Sequence, residues 1–247
     1  MTPYVWRVEH FNEIDSTNTY VKEHSREPEG LVALADFQTA GRGRMDRRWE
    51  APARSSLLCS ILFRPALEPT QLQLVVALVA LSARSALEKL SGLRAALKWP
   101  NDLVVGTDKL AGLLAEIVAS DDGLVVVVGI GVNLTYDGPE ESAGTSVRAQ
   151  TGLTIVPRAL LDILLEEIDS RRAVLDNARG RAALRDEYVR ALATIGQQVR
   201  VEQSDHVVEG LATGVDDEGR LLVQVDGDVR TFAVGDVVHV RAQVEQR

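Results

Sequence analysis

The chain has 247 residues, 45% of them hydrophobic and 26% charged, with a net charge of -9 at pH 7. That size and balance suit a globular protein with a substantial core, built as one large domain or as a large domain plus a small one. A pI near 5.0 argues against a general polyanion-binding surface, because non-specific nucleic-acid affinity rests on many Lys and Arg neutralising phosphates.

The N-terminal residues MTPYVWRVEHFNEID carry charges throughout and no apolar h-region, so no signal peptide is expected. A first strand is expected around 7–14. The following DSTNTYVKEHSREPEG offers Asp15, Ser16 and Thr17 as N-caps for a helix that stops near Pro28 and Gly30. LVALADFQ at 31–38 reads as a buried strand, and SSLLCSILF at 55–63 as another. Its Cys59 is the single cysteine and can form no internal disulfide; a buried, inert thiol is expected. Pro69 and Thr70 open a long amphipathic helix ending at Gly92. Its most apolar part, LVVALVALSA at 74–83, is too short to span a bilayer. A soluble cytoplasmic protein with no membrane partner is the expectation.

A strand near 95–98 leads into KWPNDLVVG, and KLAGLLAEIVAS-DDG-LVVVVGIGVNL reads as two strands joined by a tight Asp/Gly turn. Pro157 starts a helix to about 176, and a second helix follows over 180–193. Hairpins in place of regular βαβ alternation indicate an α+β fold, with a mixed, largely antiparallel sheet flanked by helices. After Ile195-Gly196, about fifty residues alternate strand-like segments with Gly/Asp turns, which fits a small SH3-like β-barrel. The expected division is residues 1–194 and residues 195–247.

Five segments carry chemistry. GRGRMDRRW at 41–49 sets planar, bidentate arginines on a backbone whose glycines allow close approach to a ligand, with Trp49 able to stack on a purine. No GK[ST] follows, so it is not a Walker A loop, and alone it reads equally well as a solvated basic loop. KWPNDL at 98–103 clusters Lys98, Asn101 and Asp102, which could meet a phosphate and Mg²⁺ or could be a plain β-turn. KLAGLLAE at 109–116 places Lys109 just before a strand with Gly112 within it: a charge stabiliser, or an edge lysine that discourages aggregation. GIGVN at 129–133 suits a flat ligand packed on a sheet, or is a loosened strand end. DSTN at 15–18 is a helix N-cap, or supplies hydroxyls and amides to a polar ring. The four histidines are scattered, without metal spacing and without a Ser-His-Asp or Cys-His arrangement.

DSTN, Gln38 followed by AGRGRMDRRW, KWPND, KLAGLLAE and GIGVN occur in this order over roughly residues 10–135. Together they resemble the catalytic domain of the biotin protein ligases, and the C-terminal barrel stands where that family has one. The resemblance implies ATP and biotin as substrates, Mg²⁺, a biotinyl-5′-AMP intermediate, and transfer to a lysine on the biotin carrier domain of acetyl-CoA/acyl-CoA or pyruvate carboxylase. It implies that Ser16, Thr17, Asn18 and Gln38 hold the biotin ring, and that Arg42, Gly43 and Arg44 fold over biotin and the adenylate. Trp49 would then face the adenine, with Lys98, Asn101 and Asp102 on the nucleotide side, Asp102 holding Mg²⁺, and Asn133 a further nucleotide contact. Lys109 is the implied charge stabiliser at the carboxylate–phosphate junction.

Two departures stand out. The family loop usually reads GRGRxGRxW, and here Asp46 stands at the third glycine. Asp tolerates a left-handed backbone better than most residues, and its charge could pair with Arg47 or Arg48. Many bacterial relatives also begin with a helix-turn-helix DNA-binding domain. With the catalytic segments beginning near residue 7, a monofunctional ligase with no nucleic-acid partner is expected. A lipoate ligase, an RNA-binding module built on the arginine loop, and an inactive biotin-binding relative are the competing readings. Monomer and homodimer both remain open.

Overall fold

The computed structural model describes residues 5–120, 123–139, 143–203, 206–233 and 235–239. β1 (Arg7–Phe11), α1 (Thr17–Glu23) and β2 (Leu31–Ala35) form a parallel β-α-β unit. β3 (Ser56–Phe63) then runs antiparallel to β2. A short 3₁₀ turn, Pro69–Gln71, leads into α2 (Leu72–Ser91), which stops at Gly92 in the left-handed conformation, φ 70°. β4 (Ala96–Lys98), β5 (Asp102–Val105), β6 (Asp108–Val118) and β7 (Val125–Asn133) complete a seven-stranded sheet of order β1-β2-β3-β7-β6-β5-β4. Apart from β1–β2, the strand pairs described in this sheet are antiparallel.

α3 (Val147–Thr151), α4 (Pro157–Arg172) and α5 (Ala178–Ala191) follow. The core lies between one face of the sheet and α2, α4 and α5, with Leu78, Leu161 and Tyr188 among its buried members. Twelve residues of α2 are buried, so its length and apolarity serve the interior of this fold. β8 (Gln198–Glu202), β9 (Val207–Val215), β10 (Leu221–Val225), β11 (Asp228–Phe232) and β12 (Asp236–His239) make a second, antiparallel sheet of order β11-β10-β9-β8-β12.

Several boundaries differ from the sequence expectation for physical reasons. α1 ends at Glu23 rather than near Pro28, because residues 22–27 contain no apolar side chain to hold further turns on the sheet. The second helix after Pro157 starts at Ala178, two residues early, because the Asn177 side chain caps it by accepting the Gly180 N–H at 2.8 Å. Lys109 lies within β6 rather than before it, and β5 and α3 are additional elements. The expected Asp/Gly turn falls at 121–123, of which residues 121 and 122 lie outside the described residues.

Trp99 ties the two sheets together. Its ring is 1% exposed. Its backbone N–H donates to Thr194 Oγ1 at 3.0 Å, and its indole N–H donates to the buried Gly219 carbonyl at 3.1 Å. Trp99→Phe removes that last donor and leaves the carbonyl unpaired. A loss of about 1–3 kcal/mol is expected in urea unfolding; an unchanged midpoint would show that the contact contributes nothing.

Candidate active site

Period-two alternation sorts the central strands between two faces. Leu57, Cys59 and Ile61 of β3 and Val126, Val128, Ile130 and Val132 of β7 join the core beneath the helices. On the opposite face, β6, β7 and β3 align three rows: Glu116–Val127–Leu62, Leu114–Gly129–Ser60 and Gly112–Gly131–Leu58. Val21 of α1 clusters with Leu62 and Val127 and covers the first row. Leu114 and Gly129 of the second row and all three residues of the third line the floor of a cavity of about 150 Å³.

Two glycines are required there. A Cβ on Gly129 would lie 2.1 Å from Asn18 Oδ1, and one on Gly131 would lie 2.4 Å from Trp49 Cε2. The Trp49 indole thus rests directly on the glycine floor.

At one end of the cavity the DSTN segment enters α1. Ser16 is the N-cap residue, yet its side chain makes no capping hydrogen bond, so the hydroxyl stays available to the cavity it lines. The Gln38 Oε1 accepts both the Thr17 N–H at 2.7 Å and the Thr17 hydroxyl at 3.0 Å. The Ser60 hydroxyl lies 2.7 Å from Thr17 Oγ1 and 2.6 Å from Asn18 Oδ1. This is a buried, oriented polar cluster.

The arginine loop forms another wall, and each of its arginines has a partner although Arg42, Arg47 and Arg48 stay exposed. Arg42 pairs with Glu116 at 3.2 Å. Arg44 donates to Asn101 Oδ1 at 3.0 Å and to the Gly235 carbonyl at 3.4 Å. Arg47 pairs with Asp236, and Arg48 donates to the Thr39 carbonyl at 3.3 Å. Burial lowers the Arg44 pKa, against the raising influence of Asp236 and Asp102. Met45 and Asp46 take left-handed conformations, φ 52° and 59°. Asp46 therefore occupies a backbone conformation that favours glycine, as its position in the loop suggests. The expected pairing of Asp46 with Arg47 or Arg48 is not found: Asp46 is exposed and makes no ion pair among the described residues, because Arg47 reaches Asp236 instead.

Between the two ends, Lys109 Nζ lies 2.7 Å from Asp102 Oδ1 and 5.8 Å from the Trp49 ring centroid. Asn101 is pinned by donating from Nδ2 to the Leu113 carbonyl at 2.6 Å. Ser16, Thr17, Asn18, Gln38, Arg42, Gly43, Arg44, Trp49, Asn101, Asp102 and Lys109 all line the one cavity. Lys98 and Asn133 are outside that lining. Lys98 sits opposite Asp102 in the β4–β5 register, and Asn133 is buried, donating to the Thr145 carbonyl at 3.1 Å.

Cys59, on the core side of its strand, is 1% exposed, and burial pushes its thiol up to about 12. A thiol held protonated is a poor nucleophile. Among the described residues no three His, Cys, Asp or Glu side chains gather as a metal site. Asp102 offers one carboxylate, with an oxygen already committed to Lys109. That donor set suits a Mg²⁺ ion carried in on phosphates better than a dedicated protein cage.

Sequence reasoning missed three residues here. Ser60 and Glu116 belong to the second and first of the three rows, and Asp236 arrives from β12 in the second sheet. A polar residue inside the apolar run LLCSILF was the available signal for Ser60.

Residues 11–133 match the biotin/lipoate A/B protein ligase family, and residues 194–240 match the biotin protein ligase C-terminal domain. The biotin–[acetyl-CoA-carboxylase] ligase of Mycobacterium tuberculosis is 36% identical over 219 residues, covering 86% of this chain and 80% of that protein. The bifunctional ligase/repressor BirA of Escherichia coli is 30% identical over 234 residues, covering 91% of this chain and 71% of BirA. The biotin protein ligase of Aquifex aeolicus, solved with biotin and ATP, superposes with a TM-score of 0.82 at 26% identity, over 96% of this chain and 99% of that one.

Proposed function

Because the chain belongs to the biotin/lipoate A/B protein ligase family, we propose that this cavity joins biotin to ATP as biotinyl-5′-AMP. The biotinyl group then passes to a lysine of a biotin carrier domain. The observation that carries this reading is the layout of one cavity. An oriented polar cluster stands at one end, a glycine floor under an indole at the other, and cations lie between.

In the first step a carboxylate oxygen of biotin attacks the α-phosphorus of ATP, and pyrophosphate leaves. In the second, the carrier lysine amine attacks the acyl carbon and AMP leaves. Neither step requires a protein nucleophile. What is required is alignment and stabilisation of developing negative charge. Ser16, Thr17, Asn18 and Gln38 hold the ring; Arg42, Gly43 and Arg44 close over the carboxylate and phosphate; and Lys109 faces the junction. Trp49, with Asn101 and Asp102, takes the nucleotide side. Lys98 and Asn133 support that side from outside the cavity lining. Mg²⁺ bound to the phosphates, with Asp102 as its protein ligand, would neutralise charge on the leaving pyrophosphate.

The residues favour biotin over lipoate. A ureido ring can exchange hydrogen bonds with Ser16, Thr17, Asn18 and Gln38, whereas a dithiolane ring offers none and leaves polar groups poorly matched. Pyrophosphate exchange run in parallel with each acid tests this: turnover with lipoate alone would overturn the assignment. The carrier domain is assigned to acetyl-CoA/acyl-CoA or pyruvate carboxylase and the setting to the cytoplasm. The catalytic unit is residues 1–194 and the small unit residues 195–247.

Asp46→Gly should keep adenylation within about twofold of wild type while changing how long the intermediate is retained. The left-handed position costs a glycine less backbone strain, and the loop gains freedom. Release of biotinyl-5′-AMP after a single turnover reads this directly; an unchanged release rate would make the substitution neutral.

A further inference from the structure

Glu116 has no part in the chemistry above, yet it bonds to Asn18 at the biotin end and to Arg42 of the arginine loop. Its carboxylate is 17% exposed and stands in the row covered by α1, opposite Val127. Oε2 accepts from Asn18 Nδ2 at 2.9 Å. Oε1 accepts from Lys22 Nζ at 2.8 Å. Arg42 Nη1 lies 3.2 and 3.3 Å from the two oxygens. One carboxylate thus connects α1, β6 and the arginine loop.

Resting on the biotin-ligase reading, we propose that Glu116 is a positioning residue: it fixes the Asn18 amide and holds Arg42 over the cavity before a ligand arrives.

Three observations support this. The Asn18 amide has one orientation consistent with its neighbours, with Oδ1 toward the Ser60 hydroxyl and Nδ2 toward Glu116 and the Leu114 carbonyl. An amide turned round would place its N–H₂ against the floor, where the absence of a Cβ on Gly129 accommodates Oδ1. Next, Arg42 stands between Gly41 and Gly43 on a loop, with its side chain 45% exposed. Such a side chain is ordered by its ion-pair partner, and otherwise it pays that ordering when the ligand binds. Finally, Lys22 and Arg42 converge on the same carboxylate, so removing its charge leaves two neighbouring cations to repel each other. Burial alone would raise the Glu116 pKa, but hydrogen bonds from Lys22 and Asn18 and the Arg42 charge bring it below the usual carboxylate range. The group is therefore ionised at neutral pH.

The test is a double-mutant cycle on the full chain, reading biotin Kd by calorimetry and kcat and KM by pyrophosphate exchange. Glu116→Gln should weaken biotin binding about tenfold, with kcat at saturating biotin within about threefold of wild type. With Arg42→Ala already present, the same change should cost no more than about threefold, the part carried by the Asn18 amide, because the ion-pair partner is gone. Unchanged or tighter biotin binding in Glu116→Gln overturns the proposal, and so does a full penalty that persists without Arg42. Should Glu116→Gln fail to fold, Glu116→Asp keeps the charge one methylene short and enters the same cycle, where the same two results support or overturn the proposal. A wild-type protein with no biotin-dependent exchange would defeat the ligase reading itself. An active wild type with an additive cycle would defeat only the role of Glu116.

Discussion

Lys109→Ala is expected to slow biotin adenylation by about 10²–10³-fold, the usual loss when a preorganised group aimed at developing charge is removed. Lys109 is held for this task from several sides. Its backbone N–H donates to the Ala143 carbonyl at 2.8 Å, and its own carbonyl accepts from Thr145 at 2.9 Å. Its ammonium lies against Asp102 and over the Trp49 ring. Without the ammonium, Asp102 becomes an uncompensated anion in a cavity that receives phosphates. Part of the loss is therefore repulsion. Biotin affinity measured alone should change far less than kcat. A near-normal exchange rate in Lys109→Ala would remove the residue from the chemistry.

Gly131→Val should raise the KM for ATP about 100-fold while biotin affinity stays within about threefold, since overfilling one row of a packed floor displaces what lies on it. Even a Cβ at this position would lie 2.4 Å from the Trp49 indole. A valine cannot coexist with the ring as placed, nor with a flat base on the same floor. The biotin end is one row away, over Gly129 and Ser60, and is shielded from the change. Valine suits a strand interior, so β7 should keep its pairing, which far-UV circular dichroism can check. Equal losses for both ligands would mean that the third row does not serve the nucleotide.

Much of this arrangement was legible in the sequence because apolar runs and the two-residue strand period are local signals. SLLCSILF and VVVVGIGVN each show which residues share a face, and the α+β class follows from hairpins interrupted by one long helix. The ordered segments around DSTN, Gln38, GRGR, KWPND and KLAG are gathered in one cavity, except Lys98 and Asn133. Long-range partners left no local trace. Lys22 and Arg42 meet Glu116 across 94 and 74 positions. Arg47 meets Asp236 across 189, and Trp99 meets Gly219 across 120. Nothing within a short window distinguishes those acids from solvated ones. The register that sets Gly112 opposite Gly131 is equally invisible until the strands pair. Asp46 was the residue least well read: its left-handed backbone followed from its neighbours, whereas its charge does not pair with the loop arginines.

The central claim is that one cavity joins a biotin carboxylate to the α-phosphate of ATP without a protein nucleophile. The most direct measurement is to incubate the purified protein with biotin, Mg²⁺ and ATP labelled at the α-phosphate, then denature it and locate the label. The expected result is a biotin-dependent adenylate that separates from the denatured chain, with no label covalently attached. Label bound to the protein, or no adenylate formed in the presence of biotin, would contradict it.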